Sequence, residues 1–196
     1  ATSGPRITLR FFAGWGFDET VVGRHDAIAL ATAGGVPMGG VLFAEDTHTR
    51  SPTFLVWARA DLMSAPLQRI QIVKGWIDAD GNTHESVRDI GCADELEVDP
   101  LTGRCPDNGA SVDMSNCKTL GDTGAAELAV TWQDPDYQAS QDAFYYARVL
   151  QNPSCRWSSY DALRLGIEPP AHVPATIRER AWSSPIWIET ASEPRL

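Results

Sequence analysis

Asp142-Ala-Phe-Tyr-Tyr-Ala-Arg-Val-Leu150 decides the fold class. An aspartate stands ahead of uninterrupted alternation, so in an extended chain Phe144, Tyr146, Arg148 and Leu150 face one side and Tyr145, Ala147 and Val149 the other. One of Tyr145 and Tyr146 is expected to act as a tyrosine corner, its hydroxyl bonding nearby backbone, as in a late strand of an antiparallel sandwich. The same rhythm returns upstream in Glu127–Trp132, in Leu67–Ile77 and in Pro52–Asp61. Phe54, Val56, Ala58 and Ala60 share one face opposite Leu55, Trp57 and Arg59, and Ile70, Ile72, Lys74 and Trp76 share another. Asp78-Ala-Asp-Gly-Asn82 carries turn chemistry, glycine for positive φ and Asp and Asn for local hydrogen bonds, and predicts a hairpin into Thr83–Ile90.

Ile7–Ala13 reads as a strand closed by Gly14, and Phe17–Ala33 as a helix starting near Asp18 or His25 and stopped by Gly34-Gly35. A short apolar run, Val41–Ala44, precedes a polar loop from Glu45 to Ser51. Toward the C-terminus the pattern predicts a short helix at Ser158–Leu165, a connector at Pro169-Pro170, a helical turn near Ala175–Arg180 and a closing strand at Trp182–Glu189. With about eight strands, one N-terminal-half helix, short C-terminal helical turns and no βαβ alternation, the chain is mainly β. An antiparallel β-sandwich follows, with an immunoglobulin-like arrangement as one form of it. Residues 1–196 suffice for one core and read as a single domain.

Sixteen Lys and Arg against 26 Asp and Glu leave a net charge of −10. A phosphate backbone is repelled by such a surface, which excludes nucleic acid as a partner. No window approaches 18 uninterrupted apolar residues, and the N-terminus lacks a basic region followed by an apolar stretch, so neither a membrane span nor a signal peptide is read. A start at Ala1, with a strand under way by Ile7, reads as a fragment or processed product of a larger polypeptide.

Cys92, Cys105, Cys117 and Cys155 contain no CxxC pair, so disulfides in an oxidising compartment are favoured over zinc. Three pairings are open. One of them joins Cys92 to Cys105, clipping residues 93–104, and Cys117 to Cys155, each bridge contributing on the order of 2–4 kcal/mol. Residues 92–123, rich in Asp, Asn, Gly, Pro and Ser, then form a long loop pinned by its cysteines.

Of the four histidines, His25, His48 and His84 have an acidic neighbour, but sequence neighbours on a strand point to opposite faces, so no metal site is read from the pairs. Asp78, Asp80, Asn82 and Glu85 offer calcium-type oxygens without the EF-hand spacing, and the hairpin turn accounts for them. Seven tryptophans suggest either a sugar-stacking platform or packing, and the placement of Trp57, Trp132 and Trp187 within alternating strands favours packing. Arg6 is the residue placed to reach a neighbouring active site, or else pairs with an acid at the lead-in to the first strand. Arg156-Trp157 reads as a stacked pair.

Ala1-Thr-Ser-Gly-Pro-Arg-Ile, Val36-Pro-Met-Gly-Gly40, Arg69-Ile-Gln-Ile-Val-Lys-Gly-Trp76, Phe144–Leu150, Cys155-Arg-Trp157 and Glu179–Trp187 together resemble the C-terminal part of the bacterial exported family called domain of unknown function 3604. The resemblance implies full-length relatives similar to metal-dependent hydrolases of the polymerase and histidinol phosphatase (PHP) type. Their N-terminal histidine-rich metal motif has no counterpart here, so the resemblance carries over no catalytic residue, and any divalent metal belongs to that N-terminal part. It further implies a periplasmic or secreted module that braces or walls a hydrolase-like N-terminal partner, does no chemistry alone and exposes faces that favour self-association. The alternatives are a glycan-binding module using the tryptophans, and a small metallohydrolase built from His25, His48, His84 and His172.

Overall fold

In the computed structural model, which describes residues 1–44 and 50–190, two sheets pack face to face with a helix behind the smaller one. The chain runs β1 (Thr8–Gly14), a 3-10 turn (Glu19–Val21), α1 (Ala27–Gly34), β2 (Val36–Pro37), β3 (Val41–Ala44), β4 (Thr53–Arg59), β5 (Leu67–Ile77) and β6 (Thr83–Cys92). It continues with β7 (Ser111–Asp113), β8 (Lys118–Leu120), β9 (Glu127–Trp132), β10 (Ala143–Gln151) and β11 (Ser154–Cys155). Last come α2 (Trp157–Leu165), β12 (Thr176–Ile177), β13 (Arg180–Trp182) and β14 (Ile186–Thr190). The smaller sheet is ordered β2-β1-β4-β9 and the larger β3-β14-β10-β5-β6, with β13 also on β10. This is a mainly β chain consistent with a β-sandwich.

Alternation explains the core. Phe11, Phe54, Val56 and Ala58 of the small sheet meet Ile70, Ile72, Tyr145, Ala147, Val149, Ile186 and Ile188 of the large one, all buried. Phe54 sits at the centre, its ring 4.6 Å from Tyr145 and 5.9 Å from Phe11. The opposite face of the small sheet offers Phe12 and Leu55, which α1 and the 3-10 turn cover with Ala31 and Val21. That covering requires glycine, because a Cβ on Gly14 would lie 2.4 Å from the Gly34 carbonyl oxygen. The back-to-back sheet and helix therefore meet backbone against backbone.

Four expectations are corrected. Phe17–Ala33 does not form one helix, because the chain takes positive φ at Gly23 and splits it into a 3-10 turn, capped by Asp18, and the eight-residue α1. Not every pair is antiparallel, for β14 runs parallel to β3. The helical turn near Ala175–Arg180 is extended instead: Thr176 and Ile177, β-branched and following a proline, pair with Cys155 and Ser154. Residues 92–123 contain a hairpin, β7–β8, as well as loop.

Both disulfides close on this frame: Cys92 to Cys105 and Cys117 to Cys155. The first folds the 93–104 loop onto the outer face of β5 and β6, where Asp89 gathers it. Its buried carboxylate accepts from Arg69 at 2.9 Å, Gln71 at 2.6 Å and the Cys105 amide at 2.8 Å. That explains why β5 is buried on both faces over most of its length.

The two sheets are also joined by charge. Lys74 of β5 places Nζ 2.6 Å from Oδ2 of Asp134, in the loop after β9, with the two side chains 6% and 2% exposed. The Tyr145 hydroxyl donates to the same oxygen at 2.7 Å, and the Asp136 amide donates to Oδ1 at 2.9 Å. Lys74 also donates to the Asp136 carbonyl, and its ammonium lies 5.1 Å from the Trp76 ring centre. Both charges of this buried pair are thereby paired and hydrogen-bonded, the condition under which such groups are tolerated. Burial first, then the Asp134 charge, push the Tyr145 hydroxyl far above the ordinary tyrosine range.

Removing one partner leaves the other charge orphaned, so Asp134→Ala is expected to cost about 3–5 kcal/mol in urea unfolding, whereas the combined Lys74→Met, Asp134→Leu and Tyr145→Phe variant recovers most of that. Because folding raises the Tyr145 pKa, its contribution is fully present below about pH 10 and is lost as pH rises further. Absorbance at alkaline pH is therefore expected to show fewer than all four tyrosines ionising until the chain unfolds.

Candidate functional site

One register line crosses the outer face of the large sheet. Val41 pairs with Trp187, Trp187 with Phe144, Phe144 with Gly75 and Gly75 with Glu85, so these five residues share one side of five strands. Gly75 makes the line possible. A Cβ there would stand 2.3 Å from the tip of the Phe144 ring, so only glycine lets that ring lie over the β5 backbone. The Trp187 ring centre is 5.2 Å from that of Phe144, with the planes 54° apart, and Trp187 remains 45% exposed. Along the same face Phe43 stands opposite Glu189, and Phe43 and Ile77 are each 60% exposed.

This line forms the floor of a groove of about 890 Å³ at the end of β5, β10 and β14. One wall is the β5–β6 turn. Asp78 holds it by accepting from the Asp80 and Asn82 amides at 3.0 and 2.8 Å, while His84 Nε2 lies 2.7 Å from its Oδ2. The imidazole also stacks on Trp76, at 5.2 Å and 17°. The His84 bond first, then the Asn82 amide, hold the Asp78 carboxyl well below the usual carboxylate range. The other wall is the segment before β10, fastened to β14 by Asp142, whose Oδ1 accepts from the Thr190 amide and hydroxyl at 2.8 and 2.9 Å. The groove thus combines flat aromatic surface with carboxylate and amide groups at its margins, an arrangement suited to binding.

A second surface lies near the chain start. A shallow depression of about 690 Å³ is lined by Pro5, Asp61, Met63, Trp157, Tyr160 and the Cys117–Cys155 bridge. Met63 is 94% and Trp157 73% exposed there, beside Leu62 at 91%. Ala1, Thr2 and Ser3 run alongside β13, and Ser3 bonds Glu179.

The residues singled out in the sequence scatter across these surfaces. Arg6 is exposed, and its backbone amide, not its guanidinium, meets Asp61, at 2.8 Å. Tyr145 is no backbone-bonding corner, since its hydroxyl goes to the Asp134 carboxylate, and Tyr146 points to the opposite face of β10, half-buried. Arg156 donates to the Pro174 carbonyl at 3.2 Å, while Trp157 stands out in solvent. Trp132 packs against Phe54 in the core and Trp57 is half-buried, but Trp187, grouped with them, is exposed on the groove floor. His25 and His172 are exposed, His84 bonds Asp78, and His48 lies outside the described residues. Among the described residues no three His, Cys, Asp or Glu side chains group as a metal site. The groove itself was missed, although a lone glycine in mid-strand opposite an outward phenylalanine was its signal.

Fold and surfaces define a class: a disulfide-clamped, mainly β module with an aromatic groove on its larger sheet. The chain belongs to the family described as protein of unknown function (DUF3604), whose model matches residues 1–190. No curated protein and no solved structure matches it. Among the described residues no helix is long and apolar enough to cross a membrane.

Since folding depresses the Asp78 pKa, its support of the groove wall is present above about pH 4 and lost as pH falls through the lowered value. Thermal melts over acid pH are expected to show this loss in the natural sequence and a flatter profile in Asp78→Asn.

Proposed function

We propose that this chain is a β-sandwich module that performs no catalysis by itself and braces a hydrolase-like partner domain of the same family. The observation that carries the reading is the depression beside Pro5, where Met63 and Trp157 stand 94% and 73% exposed. Apolar side chains this bare, clustered on one shallow surface, mark a place where another protein surface packs. Arg6 follows Pro5 at its rim and is the residue from which a guanidinium reaches toward a partner's cleft.

The two disulfides fit a periplasmic or secreted setting. The PHP-like character of the partner rests on the resemblance set out in the sequence, and any divalent metal is assigned to that partner. Left uncovered, the same surface favours self-association.

Purified chain is expected to leave phosphate and sulfate esters intact with or without divalent metals, and chelator-sensitive turnover would overturn the non-catalytic reading. In a longer family member containing this module, amide exchange at residues 61–65 and 157–165 is expected to be slower than in the isolated chain. Equal exchange in the two would remove the bracing role.

A further inference from the structure

We propose that the groove on the outer face of the large sheet binds an amino-bearing oligosaccharide, with a sugar ring laid on Trp187 and protonated amines of different rings met by Glu189 beside it and by Glu85 across the floor. The inference stands apart from the bracing role, which uses the opposite region of the module.

Three observations select this ligand. Trp187 is 45% exposed and tilted against Phe144, which offers an open flat ring of the kind that stacks on the apolar face of a pyranose. A closed cage for a bare ammonium would surround its guest, whereas this floor is open and the groove, at about 890 Å³, is roomy enough for more than one ring. At the margins stand Gln138 and Gln141, whose side-chain amides offer both donors and acceptors for hydroxyl groups.

Charge then narrows the class. Among the described residues the ionisable groups lining the groove are Asp78, His84, Glu85, Asp142 and Glu189, with no Lys or Arg. Asp78 is occupied by His84 and the turn amides, and Asp142 by Thr190, which leaves Glu85 and Glu189 to face a ligand. Two carboxylates beside aromatic rings favour a cation, which gains from both the charge and the ring faces. They disfavour an acidic sugar, and the net charge of −10 acts in the same direction at long range. A neutral sugar satisfies the tryptophan but leaves both carboxylates without a counter-charge.

Isothermal titration and tryptophan fluorescence of the intact chain at about pH 5.5, where sugar amines are protonated, test this directly. The probes are a glucosamine hexamer, its fully N-acetylated counterpart, cellohexaose and hexalysine. Saturable binding of the glucosamine hexamer is expected, at least about fivefold tighter than the N-acetylated or neutral oligomer and weakening as salt rises. Trp187→Ala, a change at a half-exposed position that spares the core, is expected to abolish it. Glu85→Gln with Glu189→Gln is expected to erase the preference for the amine. Near-UV circular dichroism identifies variants that remain folded, and Trp187→Phe, which keeps an aromatic face, is expected to retain part of the affinity. Absence of saturable binding, equal affinity for the acetylated oligomer, binding by hexalysine as tight as by the sugar, or full affinity in folded Trp187→Ala would each overturn the proposal.

Discussion

The Lys74–Asp134 pair is the constraint on which the rest of the molecule depends. Lys74 stands on the larger sheet and Asp134 in the loop that leaves β9 of the smaller one, so bringing them within 2.6 Å constrains how the two layers sit against each other. Apolar burial alone, being non-directional, permits neighbouring arrangements of similar energy. A buried ammonium that must find one carboxylate, one carbonyl and an aromatic face permits far fewer. Tyr145 links this polar centre to the apolar one, since the same side chain that donates to Asp134 packs its ring on Phe54.

Much of this frame was legible in the sequence, and the reason is specific. β5 begins and ends where its alternation does, and β10 turns the faces its tyrosines imply, because inward and outward positions on a strand obey a period of two whatever lies around them. Lys74 was legible as sharing a face with Ile70 and Ile72, yet its partner was not, since Asp134 sits in a loop whose path no periodicity describes. The parallel pairing of β3 with β14 was hidden for a similar reason: a four-residue apolar run carries no mark of the direction of its neighbour. Residues 92–123 concealed a hairpin because their polar composition matched that of a loop, while the clamp that orders them is covalent.

The candidate surfaces show the limit more sharply. Trp187 and Trp132 occupy equivalent-looking places in alternating strands, but one lies on the floor of an open groove and the other against Phe54. Which face of a strand is inside depends on what the opposite sheet supplies, and that is a property of the assembled layers. Gly75 carried a signal that the strand pattern did not use, since its missing side chain announces that something else must occupy its space.

The union of β3 with β14 carries a consequence for how the molecule is made. These strands are far apart in sequence, Val41–Ala44 and Ile186–Thr190, so the larger sheet stays incomplete until synthesis has delivered the second of them. Until then the outward Phe43 and an unsatisfied row of amides sit together on a bare border, the kind of template on which nascent chains stick to one another. Closure between such distant segments is slow by nature, and a shielded interval before the last strand docks is built into this topology.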